Sequence, residues 1–455
     1  MQKPSGQEEK AAEQNNEEDG KVKEVAERIK AAALQNRDYL IRLIQDLVRI
    51  RSYSGEAEEV QLFLRDLLAG LGLETSLIKV EPARLEQYKG FSYDGFSYDN
   101  RYSLLAVRRG AAAAVDQSSR SLMLNGHIDV VPPGDLDSWD DDPLSGRYTA
   151  GKVYGRGALD MKGGLAAGIT ALKLLIDLGF VSSGDIMISS VCGEETGGCG
   201  AFALVESGVK ADGCVILEPT QLKICHIQSG CHTFKITLKG RSIHACMAYK
   251  GVNVINKFYP IYKALQQMDK ERHARFSGPL AACYENPANI APFNVGTINA
   301  GDWPSSVPDR LEAHGRMGIF PGETVEEMHA EFEATVQAAA SQDPWLAENR
   351  PQVEWYEGLF EPAALAGESD LIKTLAASHQ QITGSAVQYE AATYGSDMRI
   401  FNLYANIPTV LYGPGNVSLA HTVNEHIEVD QALEAVCTIA MMIVNWCSGH
   451  LYKLD

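Results

Sequence analysis

From residue 101 onward, short apolar stretches alternate with helical ones, and potential metal ligands gather where the apolar stretches end. Residues 121–124 run apolar into Asn125-Gly126-His127. Residues 163–178 read as a helix, and 185–191 as a second strand that meets Cys192-Gly193-Glu194-Glu195-Thr196-Gly197-Gly198. Residues 213–217 form a third, closed by Glu218. Strand, helix, strand, helix in this order predicts a layered α/β sheet flanked by helices. In such sheets the carboxyl ends of the strands collect the chemistry.

The style changes at about 231. Residues 233–238 alternate, a helix follows from about 253, and strands are expected at 293–299 and 310–320. A helix at 324–340 and a strand at 352–356 complete this set. From about 360 the first style returns and closes with an amphipathic helix near 430–446. A chain of 455 residues exceeds one ordinary core. The predicted architecture is therefore an α/β/α domain with a mixed sheet, 21–230 and 360–455, interrupted by an α+β module, 231–359. Residues 1–20, rich in Glu, Gln and Asn, read as a disordered acidic tail. A helix is expected over about 21–48 and another over 56–68, with Ser54 as its N-cap. Residues 91–99 repeat Phe-Ser-Tyr-Asp and read as a loop or hairpin of local importance, with a binding loop as the alternative.

A formal net charge of −19 repels phosphate backbones and anionic lipids, so no nucleic acid or membrane partner is expected. No apolar run reaches the roughly 18 residues that span a bilayer, and the N-terminus lacks a secretion signal's apolar core. Nine cysteines, scattered and without a C-x-x-C pair, argue for reduced thiols and a cytoplasmic protein. Cys192 and Cys199, which flank the Glu pair, read as packing residues.

Five residues have ligand chemistry at these positions: His127, Asp160, Glu195, Glu218 and His421. Catalytic zinc takes imidazole and carboxylate ligands and keeps one position open, and two close ions need a bridging carboxylate. Two His and three carboxylates, with Glu194 spare as a base, fit that arithmetic. Asp129 lies two residues from His127, on the same side of an extended chain, and is expected to accept its second ring N–H.

With these motifs in order, the chain resembles the M20 family of metallopeptidases, the group of acetylornithine deacetylase, succinyl-diaminopimelate desuccinylase, aminoacylase and carboxypeptidase G2. The matching segments are Gly126-His127-Ile128-Asp129-Val130-Val131-Pro132, Gly155-Arg156-Gly157-Ala158-Leu159-Asp160-Met161-Lys162-Gly163-Gly164, Gly193-Glu194-Glu195, Glu218-Pro219-Thr220, Ser242-Ile243-His244-Ala245 and His421. The resemblance implies that His127 and Glu218 hold one ion, Glu195 and His421 the other, and Asp160 bridges them. It implies Glu194 as general base and a cis bond after Asp160. It makes the inserted module a lid and dimerisation domain, whose His244 meets the oxyanion, often across a homodimer. The expected ions are two divalent metals, zinc first, with cobalt or manganese as substitutes.

The chain also departs from the family pattern. Many members carry Asp-x-Arg before Pro-Gly in the lid, whereas here the stretch reads Gly315-Arg316-Met317-Gly318-Ile319-Phe320 before Pro321-Gly322. Ser305-Ser306 replaces a customary Asn. Arg316, Arg399 and Asn294 remain the candidates for binding a small-molecule substrate. The implied reaction is cleavage of the amide of an N-acyl amino acid or related compound. A dipeptidase or exopeptidase on the same centre is the alternative, and a non-catalytic scaffold the remote one.

Overall fold

The computed structural model describes residues 6–111 and 119–448. A mixed sheet of nine strands organises the larger domain. Its centre is four adjacent parallel strands, in the order Ile186–Val191, Leu122–His127, Gly213–Ile216 and Thr409–Leu411. Tyr102–Arg108 and Glu74–Lys79 extend one side antiparallel. Ile224–Gln228, Ala363–Ala364 and Tyr389–Ala392 extend the other. Every residue of Leu122–His127 and Ile186–Val191 is buried, as befits strands covered on both faces. Helices Lys162–Asp177 and Val429–Cys447 pack together and on Leu122–His127, while Glu58–Gly70 and Cys199–Glu206 lie against Tyr102–Arg108. This is the expected α/β fold.

The glycines after Asp160 set how closely the central helix approaches the strand ends. A Cβ on Gly163 would stand 2.3 Å from the carbonyl oxygen of Ala158, and one on Gly164 would stand 2.0 Å from that of Leu217. Any side chain at either position would push the helix away from the turns that carry Asp160 and Glu218.

A second sheet has four antiparallel strands, ordered Phe293–Ala300, Arg310–Ile319, Gly230–Lys239 and Gln352–Trp355. Helices Val254–Arg275 and Val325–Ser341 pack beside each other in the same module. Phe234, Ile236, Leu265, Leu311 and Phe332 lie in a core separate from that of the large sheet. Thr324 and Glu327 close a reciprocal capping box at the start of the second helix.

Three local expectations change. Residues 6–20 belong to a helix, Gly6–Gln35, rather than a disordered tail. Glu, Gln, Ala and Lys favour a solvated helix as readily as a solvated coil. Residues 1–5 of that stretch, like 449–455 of the catalytic domain, lie outside the described residues. The single helix expected over 21–48 is two, parted at Asn36. Ser54 caps nothing: the next helix starts at Glu58 after Ala57, with Glu58 and Glu59 in its first turn. The expected strands at 233–238 and 310–320 are the two inner strands of the second sheet, each paired on both sides. The edges are Phe293–Ala300 and Gln352–Trp355. Among the described residues no helix is long and apolar enough to cross a membrane.

Candidate metal centre

His127 is the last residue of its parallel strand, and Glu218 follows the neighbouring one by two. Glu194 and Glu195 follow the strand on the other side of His127. Asp160 lies just before the central helix, and its bond to Met161, the helix N-cap, is cis, as expected. His421 arrives from the loop after the fourth parallel strand and has a left-handed φ of 60°. These five candidate ligands form two sets that share Asp160. Ligand atoms of His127, Asp160 and Glu218 lie within 4.8 Å of one another, as do those of Asp160, Glu195 and His421. His127 Nε2 is 3.1 Å from Asp160 Oδ1 and 3.8 Å from Glu218 Oε1. His421 Nε2 is 3.1 Å from Glu195 Oε1 and 3.5 Å from Asp160 Oδ2.

The donor set fits divalent cations. Burial raises the Glu218 carboxyl well above its ordinary range, and Asp160 and Glu195 push it further. Glu194 is raised the same way by burial, then by Glu218, Asp397 and Glu195. Burial alone would lower His127, yet Asp160, Glu218 and Glu194 together raise it. Such crowding of carboxylates needs positive charge, and the donors are the imidazoles and carboxylates that suit zinc and its neighbours.

The supporting residues differ in part from expectation. His127 Nδ1 bonds to the backbone carbonyl of Asp129 at 2.9 Å, while the nearest Asp129 carboxylate oxygen is 3.9 Å away. The Asp129 carboxylate instead accepts the backbone N–H of Glu194 at 3.2 Å and of Glu195 at 3.1 Å. One residue thus orients the imidazole through its main chain and the Glu turn through its side chain. Sequence reasoning missed Glu425, although it stands four residues after His421. Its carboxylate accepts the backbone N–H groups of Leu159 and Asp160 at 3.0 and 3.1 Å, and Arg156 donates to it at 2.6 Å. It also missed Asp397, which is 1% exposed and whose carboxylate oxygens have no hydrogen-bond partner among the described residues. Burial pushes Asp397 up to about 7.

A cleft of about 320 Å³ opens on the centre, lined by Asp160, Glu194, Glu195, Glu218 and His421 with Arg316, Phe360 and Tyr394. Arg316 therefore reaches the site from the inserted module. Asn294 lies directly across from Arg316 in the lid sheet but is not among the cleft's lining residues. Arg399 does not serve as a carboxylate clamp. It is fully buried, donating to the Gly90 and Gly197 carbonyls and to Glu361, with its guanidinium between Phe202 and Phe360. An Arg in a short helix looks the same in sequence whether it points to solvent or to the core. His244 is exposed and outside the cleft of its own chain, and its Nδ1 accepts the N–H of Cys246. Cys192 and Cys199 are buried packing residues beside the Glu turn, as expected.

Similarity to known proteins agrees with this geometry. The chain is 29% identical over 450 residues to N-formyl-4-amino-5-aminomethyl-2-methylpyrimidine deformylase of Halalkalibacterium halodurans, covering 94% of this chain and 99% of that one. It is 25% identical over 420 residues to a probable succinyl-diaminopimelate desuccinylase of Staphylococcus aureus, covering 87% and 94%. In fold it is similar to human carnosine dipeptidase 1, with a TM-score of 0.72 at 17% identity over 93% of this chain and 98% of that one. The sequence profile of peptidase family M20/M25/M40 matches residues 123–445, well over half of the chain. With the ordered motifs brought together at one set of strand ends, the chain belongs to peptidase family M20/M25/M40 and is a hydrolase of amide carbon–nitrogen bonds.

Proposed function

We propose that this protein removes a small acyl group from an N-acylated amine or amino acid at a centre of two divalent ions, zinc first. The observation that carries the reading is the pair of ligand sets sharing Asp160. His127 and Glu218 would hold one ion, Glu195 and His421 the other, with Asp160 between them. When bound, the ions polarise the scissile carbonyl and lower the pKa of water from 15.7 toward ~7.

Glu194 is the general base: it takes a proton from the attacking water and returns it to the leaving nitrogen. Its burial holds the carboxyl well above the ordinary range, the direction that suits a group exchanging protons near neutrality. Asp129 supports the base through the backbone N–H of Glu194, and it supports the first ligand through His127. Arg316, lining the cleft, is the cation that meets an anionic or carbonyl group of the substrate. Deacylation is favoured over dipeptide cleavage because the two curated relatives reported above are named for removing formyl and succinyl groups. The likeness to carnosine dipeptidase concerns the fold.

A second copy of the chain completes the site in this reading. The lid's edge strand Phe293–Ala300 exposes Ile298, and the adjacent helix Val254–Arg275 exposes Ile255 and Tyr259. An uncovered edge with apolar side chains invites pairing. Dimerisation there would let His244 of one protomer meet the oxyanion in its partner. Nine free thiols support a cytoplasmic location.

The test is a panel of N-formyl, N-acetyl and N-succinyl amines and amino acids beside dipeptides, with zinc, cobalt or manganese added to metal-free protein. Cleavage of dipeptides alone would replace the deacylase reading with the exopeptidase one. Metal uptake without turnover of any compound would favour a scaffold. For the dimer, Glu194→Gln and His244→Ala protomers are mixed after mild dissociation. Activity should return, since a mixed dimer holds one intact composite site. No recovery in proven mixed dimers would remove His244 from the partner's site.

A further inference from the structure

The turn that carries Glu194 and Glu195 is gripped from two sides. Asp129 holds its backbone N–H groups on one side. On the other lies the repeated segment at 91–99, to which the reaction assigns nothing. The two copies of the repeat have opposite fates: Asp94 is 5% exposed, while Asp99 is exposed. Asp94 Oδ2 accepts a hydrogen bond from the Thr196 hydroxyl at 2.9 Å and pairs with Arg101 at 2.7 Å. Arg101 is fully buried, lies over the Tyr98 ring and donates to Cys199 Sγ at 3.0 Å. A Cβ on Gly193 would stand 2.4 Å from Arg101 Nη2 and 2.6 Å from Cys199 Sγ. The guanidinium therefore fills the space under the residue that precedes Glu194, and only glycine, with φ of 71°, leaves that space open. Neither Asp94 nor Arg101 lines the metal cleft.

A buried ion pair is weak grounds for stability, because well-packed apolar residues often replace one without loss. This pair touches both ends of one turn: Thr196, which follows Glu195, and Cys199, which opens the next helix. We propose that Asp94 and Arg101 are positioning residues that hold the Glu194–Glu195 turn, and above all the ligand Glu195, at the second ion. The inference rests on the two-ion reading above. The Glu195 side chain is 9% exposed against 51% for its partner His421, so the Glu195 end supplies that ion's fixed side. Loss of an outer partner of a metal ligand typically costs about 10–100-fold in metal affinity or activity.

Co²⁺ titration of the metal-free full-length protein, read by absorption and calorimetry, tests this. Asp94→Asn removes the charge of the clamp. Thr196→Val removes only the hydroxyl and leaves the buried pair intact, so it remains informative if Asp94→Asn folds poorly. Thr196→Ser keeps the hydroxyl and should behave as wild type. In Asp94→Asn and Thr196→Val one of the two Co²⁺ sites should lose about tenfold or more in affinity, with an altered absorption spectrum and the other site unchanged. On any substrate the panel identifies, kcat should fall with KM held. Unchanged affinity at both sites, or an equal loss at both, would overturn the proposal. Wild-type protein that takes up no Co²⁺ would overturn the two-ion reading itself, and this inference with it.

Discussion

The cleft and the lid handle ionisable groups in opposite ways. In the cleft, Glu194 and Glu218 are buried and face other carboxylates, and their surroundings raise them. Behind them stand buried carboxylates that bind backbone N–H groups or cations: Asp129, Glu425 with Arg156, and Asp94 with Arg101. In the lid the carboxylate pairs are mostly part-exposed, as with Lys257 and Asp343 or Lys235 and Glu354, and the buried Arg272 with Glu323 is the exception. Its most deeply placed titratable groups include imidazoles that burial keeps neutral: His232 is stacked on His329 and Trp355. The cleft thus gives up stability to gather negative charge for cations, whereas the lid is an ordinary apolar core with a solvated surface.

The largest expected effect is on chemistry. Glu194→Gln should keep both ions and lose on the order of 10²–10⁴-fold in kcat, the usual worth of a positioned proton transfer. Metal content and turnover measured on the same sample check this. Near-wild-type activity at equal metal content would remove Glu194 as the base, and with it the claim that the cleft's buried charge serves the reaction.

Next comes the worth of a charge pair in the two regions. Glu425→Ala leaves Arg156 buried and unpaired and frees the Asp160 main chain, so it should cost on the order of 3–5 kcal/mol. Lys257→Ala breaks a part-exposed pair in the lid and should cost under about 1 kcal/mol. Urea unfolding of both variants decides it. Equal losses would mean that the two regions do not differ as described.

The smallest effect is one of sign with pH. Burial lowers His232 from 6.5 to about 4 and also lowers His329. As pH falls below 6.5 the unfolded lid binds protons that the folded lid refuses, so the lid loses stability down to about pH 4. In metal-free protein Glu194 and Glu218 are raised above 4.5, so the folded cleft binds more protons than the unfolded chain. That contribution is present at low pH and is lost as pH rises. Chelation should therefore destabilise the large domain more at neutral pH than at pH near 5, while acid loosens the lid. Hydrogen exchange, corrected for intrinsic rates, reports both regions in one experiment. Lid protection that stays constant between 6.5 and 4 would refute the imidazole account.

Much of this was legible along the chain. His127, Asp160, Glu195, Glu218 and His421 carry their chemistry in their residue types. Their places after apolar strands or beside glycine turns implied that an α/β sheet would bring them together. The insertion was visible because its alternating pattern differs from the buried parallel strands on either side. Only the tertiary structure decided what each polar group meets. Arg399 reads as a substrate clamp until Gly90, Gly197 and Glu361 are seen to enclose it. Asp129 was expected to face His127 and instead faces the backbone of Glu194 and Glu195. The bond from Arg156 to Glu425 spans 269 residues and that from Thr196 to Asp94 spans 102. A repeat of Phe-Ser-Tyr-Asp cannot show which copy will be buried. Periodicity and motif order are local properties that the chain carries before it folds. The partner of a buried charge is set by which distant segment packs against it, and no local pattern encodes that.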